Sequence, residues 1–179
     1  KKSSFEVVSY AKELSKQLSL ELVVVAINID DSSDLNKYGP DKIITIKDAN
    51  LEKFDAKIYA DIVSQVCIKF STSHVILSGG VDSKYLAPIL SIKLEAGYVS
   101  NVVDLPSKLE PFTVKRTSFS NKSFCDTTIT SDKKIISVSN NSFSPVENSS
   151  TPDFVDFQAK IPERKITQDS LDLAKGNVS

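Results

Sequence analysis

The spacing of apolar positions changes several times along the chain, and each change marks an element. Residues 1–18 place Phe5, Val8, Ala11, Leu14 and Leu18 at helical intervals, with Ser3 or Ser4 able to cap and Glu6 in the first turn, so a helix is predicted there. Residues 20–29 are nearly all apolar and rich in valine, the composition of a strand covered on both faces by helices. Asp30, Asp31, Ser32 and Ser33 then turn the chain, and Ser33 or Asp34 can cap a short helix that ends at Tyr38, Gly39 and Pro40. Residues 42–46 read as a strand and 48–54 as a polar connection, while 56–70 form a long helix with Ile58, Ile62, Val63, Val66 and Phe70 on one face.

Residues 71–105 organise the rest. His74, Val75, Ile76 and Leu77 make a buried strand and Ser78, Gly79 and Gly80 a turn; an amphipathic helix follows over 82–94, and Gly97 resets the chain into a strand over 98–103. The glycines permit a tight turn, and Asp82 or Ser83 is placed to cap the helix by accepting from a free backbone N–H of its first turn. Strands alternating with helices argue for an α/β domain with a mostly parallel sheet and right-handed crossovers. Doubly wound sheets commonly begin with a strand, so an opening helix implies a strand preceding Lys1.

After Pro106 the pattern changes. Residues 112–119, 123–130 and 134–139 are short strand-like runs separated by Ser-Asn-Lys and Ser-Asp-Lys turns, expected to be antiparallel and to extend one edge of the sheet. Residues 140–154 are rich in Asn, Ser and Pro and read as a surface loop, 154–161 as one more edge strand, and 162–179 as a charged linker or tail. The chain thus divides into an α/β domain over 1–150 and an edge strand with linker over 151–179.

Composition narrows the function classes. A domain near this size buries about 68–70% of its unfolded surface, enough for a real core. The 22 Lys and Arg against 23 Asp and Glu, net charge −1, are interspersed without a basic stripe, which argues against nucleic acid and anionic membrane as partners. The apolar run 22–27 is far shorter than the roughly 20 residues that cross a bilayer. Cys67 and Cys125 lack C-x-x-C spacing and read as two buried or half-buried thiols in a reducing cytosol, with a disulfide between them as the alternative. His74 is the only histidine, so a multi-histidine metal site is excluded, and its place at a strand start gives it a structural role. No metal ligand or catalytic residue is assigned. Arg116 has the fork to hold a partner carboxylate but reads as a solvated strand residue, and Lys122, beside Asn121 in a turn, as solvent-exposed. Phe112, Phe119, Phe124, Phe143, Phe154 and Phe157 read mostly as core, with some available for a partner-facing patch. The sequence contains no methionine, and both its ends are taken as provisional.

Two resemblances centre on the turn. Ser78, Gly79, Gly80, Asp82 and Ser83 are similar to the S-G-G-x-D-S pyrophosphate loop of enzymes that adenylate a substrate with ATP, where glycine N–H groups and a helix N-terminus cradle an anion. That loop normally follows the first strand of its domain, whereas here it follows a later one. A tight strand-to-helix turn is therefore the preferred reading.

The second resemblance covers more of the chain. Glu6-Val7-Val8-Ser9-Tyr10-Ala11, Leu35-Asn36-Lys37-Tyr38-Gly39-Pro40-Asp41-Lys42, Tyr59-Ala60-Asp61 and Tyr85-Leu86-Ala87-Pro88-Ile89-Leu90 occur in consistent order. With Ala96-Gly97-Tyr98-Val99-Ser100-Asn101-Val102 and the run from Arg116 through Phe124 and Cys125 to Ile129, they resemble the N-terminal domain of the alpha subunit of electron-transfer flavoproteins. Departures are Ser83, Lys84 and Tyr85 in place of Gly-Arg-Asp, Ile89 in place of arginine, Asn101 in place of aspartate and Asn121 in place of glycine. They put fine polar contacts at those positions in doubt and leave the framework intact.

The resemblance implies a three-layer Rossmann-like, adenine-nucleotide-alpha-hydrolase-like fold and the role of an electron carrier, not an enzyme. It implies an FAD heterodimer with a beta subunit, taking electrons from acyl-CoA dehydrogenase-type flavoenzymes and passing them to a quinone oxidoreductase. It further implies that FAD is held by a C-terminal domain beyond Ser179 and that the setting is bacterial cytoplasm or mitochondrial matrix. The alternatives are an ATP-pyrophosphatase-type ligase using residues 78–83 and a stand-alone binding module on the same fold.

Overall fold

Burial on both faces of the strands dictates the architecture. In the computed structural model, which describes residues 2–164, Ile43 packs beneath the first helix while its neighbour Ile44 packs beneath the second. Ile135 and Ile136 divide in the same way. Successive side chains of a strand point to opposite faces, so a sheet with apolar residues on both must be covered on both. Helix α1 (Lys2–Leu18) covers one side, and α2 (Ala56–Lys69) and α3 (Val81–Leu94) the other, giving the α/β domain that the pattern predicts in the three layers that the resemblance implies.

The strands fall into two hydrogen-bonded groups. β1 (Val23–Ile27), β2 (Lys42–Ile46) and β9 (Asp153–Asp156) pair in parallel in the order β1-β2-β9. The other group has the order β3-β8-β4-β6-β5, with β7 against β6: β3 (His74–Ser78), β4 (Gly97–Val102), β5 (Lys108–Leu109), β6 (Phe112–Ser118), β7 (Ser123–Ile129) and β8 (Lys134–Val138). The pairs β4-β6, β5-β6 and β6-β7 are antiparallel and lie at one edge, as expected for the C-terminal third.

β8 departs from its expected place. It is not an antiparallel edge strand but runs parallel between β3 and β4, in the middle of the sheet. The reason is its composition: Ile135, Ile136, Ser137 and Val138 are all buried, so both faces of the strand need cover that only a central position supplies.

Local chemistry fixes the ends of the elements. Asp55 caps α2 by accepting from the N–H groups of Lys57 and Ile58 at 2.9 and 3.2 Å. A short 3-10 helix (Ser33–Tyr38) ends at Gly39, whose φ of 80° is left-handed, and a β-carbon there would stand 2.9 Å from the Asn148 carbonyl oxygen. The Asn/Ser/Pro-rich loop passes at that point and is fastened: Asn148 N–H donates to Lys37 O at 2.7 Å, and Ser150 N–H to Asn36 O at 2.8 Å. It thereby delivers β9 to β2.

Beyond β9 the expected edge strand stops early. Residues 157–161 instead run along α2, where Phe157, Ala159 and Ile161 pack and the Gln65 amide exchanges two hydrogen bonds with the Lys160 backbone, each 2.8 Å. The tail expected over 162–179 lies outside the described residues from 165 onward, as does Lys1.

The aromatic residues split. Phe112 is buried and Phe143 and Phe157 are packed, whereas Phe119, Phe124 and Phe154 are exposed. Of the six phenylalanines read mostly as core, half therefore complete it.

Candidate functional site

The C-terminal ends of parallel strands, where an α/β sheet binds its ligands, are the place to look. Ser78 ends β3, Gly79 and Gly80 turn, and α3 starts at Val81. Gly80 is the N-cap, at φ −70° and ψ 169°, and no side chain hydrogen-bonds to the cap. The expectation that Asp82 or Ser83 caps α3 is thus incorrect: a cap must stand outside the helix, and both residues are already in its first turn. Ser83 is buried and Asp82 exposed, so the two do not converge on one point.

The glycines have separate reasons. Neither takes a positive φ. A β-carbon on Gly79 would stand 2.8 Å from the Val138 carbonyl oxygen and 3.3 Å from the Ser139 α-carbon, whereas one on Gly80 would meet only Ser78 Oγ at 3.6 Å. Gly79 is bare because the chain leaving β8 crosses it.

Beside that crossing, Gly79, Lys84, Tyr98, Ser100, Asn101 and Ser137 surround about 220 Å³, with the Tyr98 hydroxyl 3.1 Å from Ser137 Oγ. This is below the roughly 300–1,000 Å³ of ordinary small-molecule sites. FAD does not fit it. Among the described residues no group of three or more His, Cys, Asp or Glu is arranged to hold a metal ion. No helix among them is long and apolar enough to cross a membrane.

The remaining titratable groups are structural. Burial, with a smaller contribution from Lys134, pushes the His74 imidazole down to about 4; its Nδ1 is 2.9 Å from Ser73 Oγ and its ring lies against Phe112. Both thiols are free; burial pushes the Cys67 thiol up to about 11, whereas Cys125, contrary to the expectation of burial, is exposed on β7. Arg116 is half-buried rather than solvated, and its buried Nε has no hydrogen-bond partner. Lys122 is exposed, as expected.

Two polar side chains of α1, Glu6 and Tyr10, are buried on its core face. Glu6 is buried, and its Oε2 accepts from Asn141 N–H at 3.1 Å while Lys2 Nζ lies 3.5 Å from Oε1. Tyr10 is fully buried and donates to Asp104 O at 2.9 Å. Positions 6, 10 and 14 form one helical stripe, so the place of Tyr10 and Leu14 in the core also assigns Glu6 to it.

A larger space, of about 760 Å³, opens between β1 and β3. Its lining is mostly apolar and includes the carboxylates Glu21, Asp31 and Asp34, with no Lys or Arg, so it offers nothing to neutralise a phosphate.

Comparison with known proteins places the sequence in a family. An electron transfer flavoprotein domain profile matches residues 1–162. The chain belongs to the electron transfer flavoprotein family. It is 25% identical over 122 residues, 68% of its length, to an electron transfer flavoprotein subunit alpha of Bacillus subtilis (strain 168), of which the match covers 38%. Together these identify an alpha-type N-terminal domain, with the parallel sheet and antiparallel edge described above. Proteins of this family are electron carriers rather than enzymes.

Proposed function

We propose that this chain is the scaffold and subunit-docking domain of an electron-transfer flavoprotein alpha subunit. The observation that carries the proposal is the family match over residues 1–162. On this reading the chain pairs with a beta subunit in an FAD heterodimer that takes electrons from acyl-CoA dehydrogenase-type flavoenzymes and delivers them to a quinone oxidoreductase. The FAD is held by a further, C-terminal domain. The setting is a reducing compartment, bacterial cytoplasm or mitochondrial matrix.

Two features support a scaffold role. Ser78, Gly79, Gly80, Asp82 and Ser83 form a turn whose one obligatory glycine, Gly79, is explained by the neighbouring chain. The β6-β7 hairpin presents Phe119 and Phe124, 86% and 67% exposed, as apolar area of the kind a subunit interface buries.

The test is co-expression of the natural reading frame with the beta subunit. A purified yellow complex, whose flavin is reduced by a substrate-reduced acyl-CoA dehydrogenase, is expected. A colourless complex, or a melting temperature raised by ATP or pyrophosphate through residues 78–83, would overturn the proposal.

A further inference from the structure

Consecutive side chains of a strand point to opposite faces, yet Ser100 and Asn101 of β4 line the same space of about 220 Å³. The cause is a break in the ladder. β4 loses its register with β8 between Val99 and Val102, and Asn101 takes a left-handed φ of 58°. An irregularity of this kind re-aims side chains that a regular strand would send apart. It lies where β3, β8 and β4 run in parallel, toward the end of the sheet at which α/β domains receive ligands.

The lining fixes the charge of what the space accepts. Tyr98 and Ser137 contribute hydroxyls 3.1 Å apart, and Ser137 is only 4% exposed. Each hydroxyl carries one hydrogen, and their mutual bond uses one of the two. Whichever of them donates, the other hydrogen has no acceptor among the described residues. Buried donors are nearly always satisfied, so this one calls for an acceptor inside the space. Lys84 is the one charged residue of the lining; it is exposed and makes no ion pair among the described residues. No carboxylate lines the space, Asp82 included. The N-terminal end of α3, which no side chain caps, adds to the positive potential.

We propose that this space binds a small oxyanion, held by the Lys84 ammonium and the remaining hydroxyl hydrogen of the Tyr98–Ser137 pair, with Ser100 and Asn101 completing the ring of donors. A cation and neutral donors without a carboxylate select an acceptor that carries negative charge. Size selects the rest. At about 30 Å³ per water the space holds on the order of seven water-sized groups, enough for orthophosphate or a small carboxylate and too few for a nucleotide. Gly79 only walls the space, and the crossing at Val138 still accounts for its missing side chain. The site is therefore not the pyrophosphate loop of residues 78–83, and it is independent of the scaffold role.

The experiment titrates the product of the natural reading frame with orthophosphate, against sodium chloride of equal ionic strength, by thermal melting and calorimetry. Orthophosphate is expected to raise the melting temperature beyond the chloride control. Lys84→Gln is expected to weaken its affinity at least about tenfold, and Tyr98→Phe at least about threefold. Because Lys84 is exposed, Lys84→Gln should leave the melting temperature without phosphate unchanged. Asp82→Asn, in the same turn but off the lining, controls for charge alone and should change the affinity less than about twofold. The inference is overturned if phosphate does no more than chloride, or if either Lys84→Gln or Tyr98→Phe leaves the affinity unchanged. It is overturned equally if Lys84→Gln and Asp82→Asn shift the affinity by equal factors in opposite directions, since a diffuse field would then be the cause. A melting temperature raised by ATP through residues 78–83 would strike the scaffold role, whereas loss of the phosphate effect strikes this site alone.

Discussion

The carbonyl oxygen of Val138 lies over the bare α-carbon of Gly79, so that a β-carbon at position 79 would stand 2.8 Å from it. That contact joins the turn after β3 to the exit of β8, two elements with α3 and the strands β4 to β7 between them in the chain. Gly79→Ala must push backbone against backbone and is expected to cost about 1–3 kcal/mol, lowering the melting temperature by about 2–4 °C per kcal/mol. Gly80→Ala meets ordinary contact at an unstrained φ of −70° and is expected to change stability by less than about 0.5 kcal/mol. Urea melts of the two variants distinguish this from a loop whose glycines both serve an anion, since equal losses would remove the crossing as the explanation.

The pattern of apolar residues made the layers and most element boundaries legible, because burial on two faces and burial on one leave different traces in sequence. It misplaced β8, although Lys134–Val138 carries the near-continuous apolar character of a central strand. The run follows a hairpin of half-exposed strands, and pairing partners are not written in a strand's own residues. The turn was legible as a turn, but the cause of Gly79 was not, since the crossing chain comes from residues 138–140. Likewise Phe119 and Phe112 are alike in sequence. Only the hairpin geometry sends one to solvent and the other beneath α1.

His74 sets a pH dependence. Its imidazole is held near 4 in the folded chain against an ordinary value of 6.5, so the unfolded chain binds the extra proton between those values. Stability is therefore expected to be flat above about pH 6.5, to fall with pH down to about 4, and to level off below that as far as this group is concerned. Partial exposure of the ring reduces the effect to on the order of 1–2 kcal/mol. His74→Gln should flatten the slope between pH 4 and 6.5 in denaturant melts, and an unchanged slope would assign it to other groups.

The two thiols differ in reach. Cys67 is buried, with its thiol pushed up to about 11, and Cys125 is exposed on β7. A disulfide-exchange reagent at pH 8 is expected to modify one thiol of the native chain rapidly and the other at least about a hundredfold more slowly, because only the thiolate attacks. Cys125→Ser should remove the fast phase, and unfolding should expose both. A fast phase that survives this substitution would mean that the α2 packing around Cys67 opens readily.

The β6-β7 hairpin provides the sharpest test of the docking role. Phe119 sits in its turn with φ of 50° and 86% exposure, and Phe124 is 67% exposed on β7. Neither supports the fold by burial, so Phe119→Ser with Phe124→Ser should change the stability of the isolated chain by less than about 1 kcal/mol. If the beta subunit covers them, the same double substitution removes buried aromatic area from that interface and should weaken association at least about tenfold, equivalent to 1.4 kcal/mol. Sedimentation or titration calorimetry of the subunit pair reads the second effect, and denaturant melts of the chain alone read the first. Weakened association without loss of chain stability places the partner on this hairpin. Unchanged association places it elsewhere on the domain, and loss of stability in the isolated chain shows that the phenylalanines pack within the fold despite their exposure.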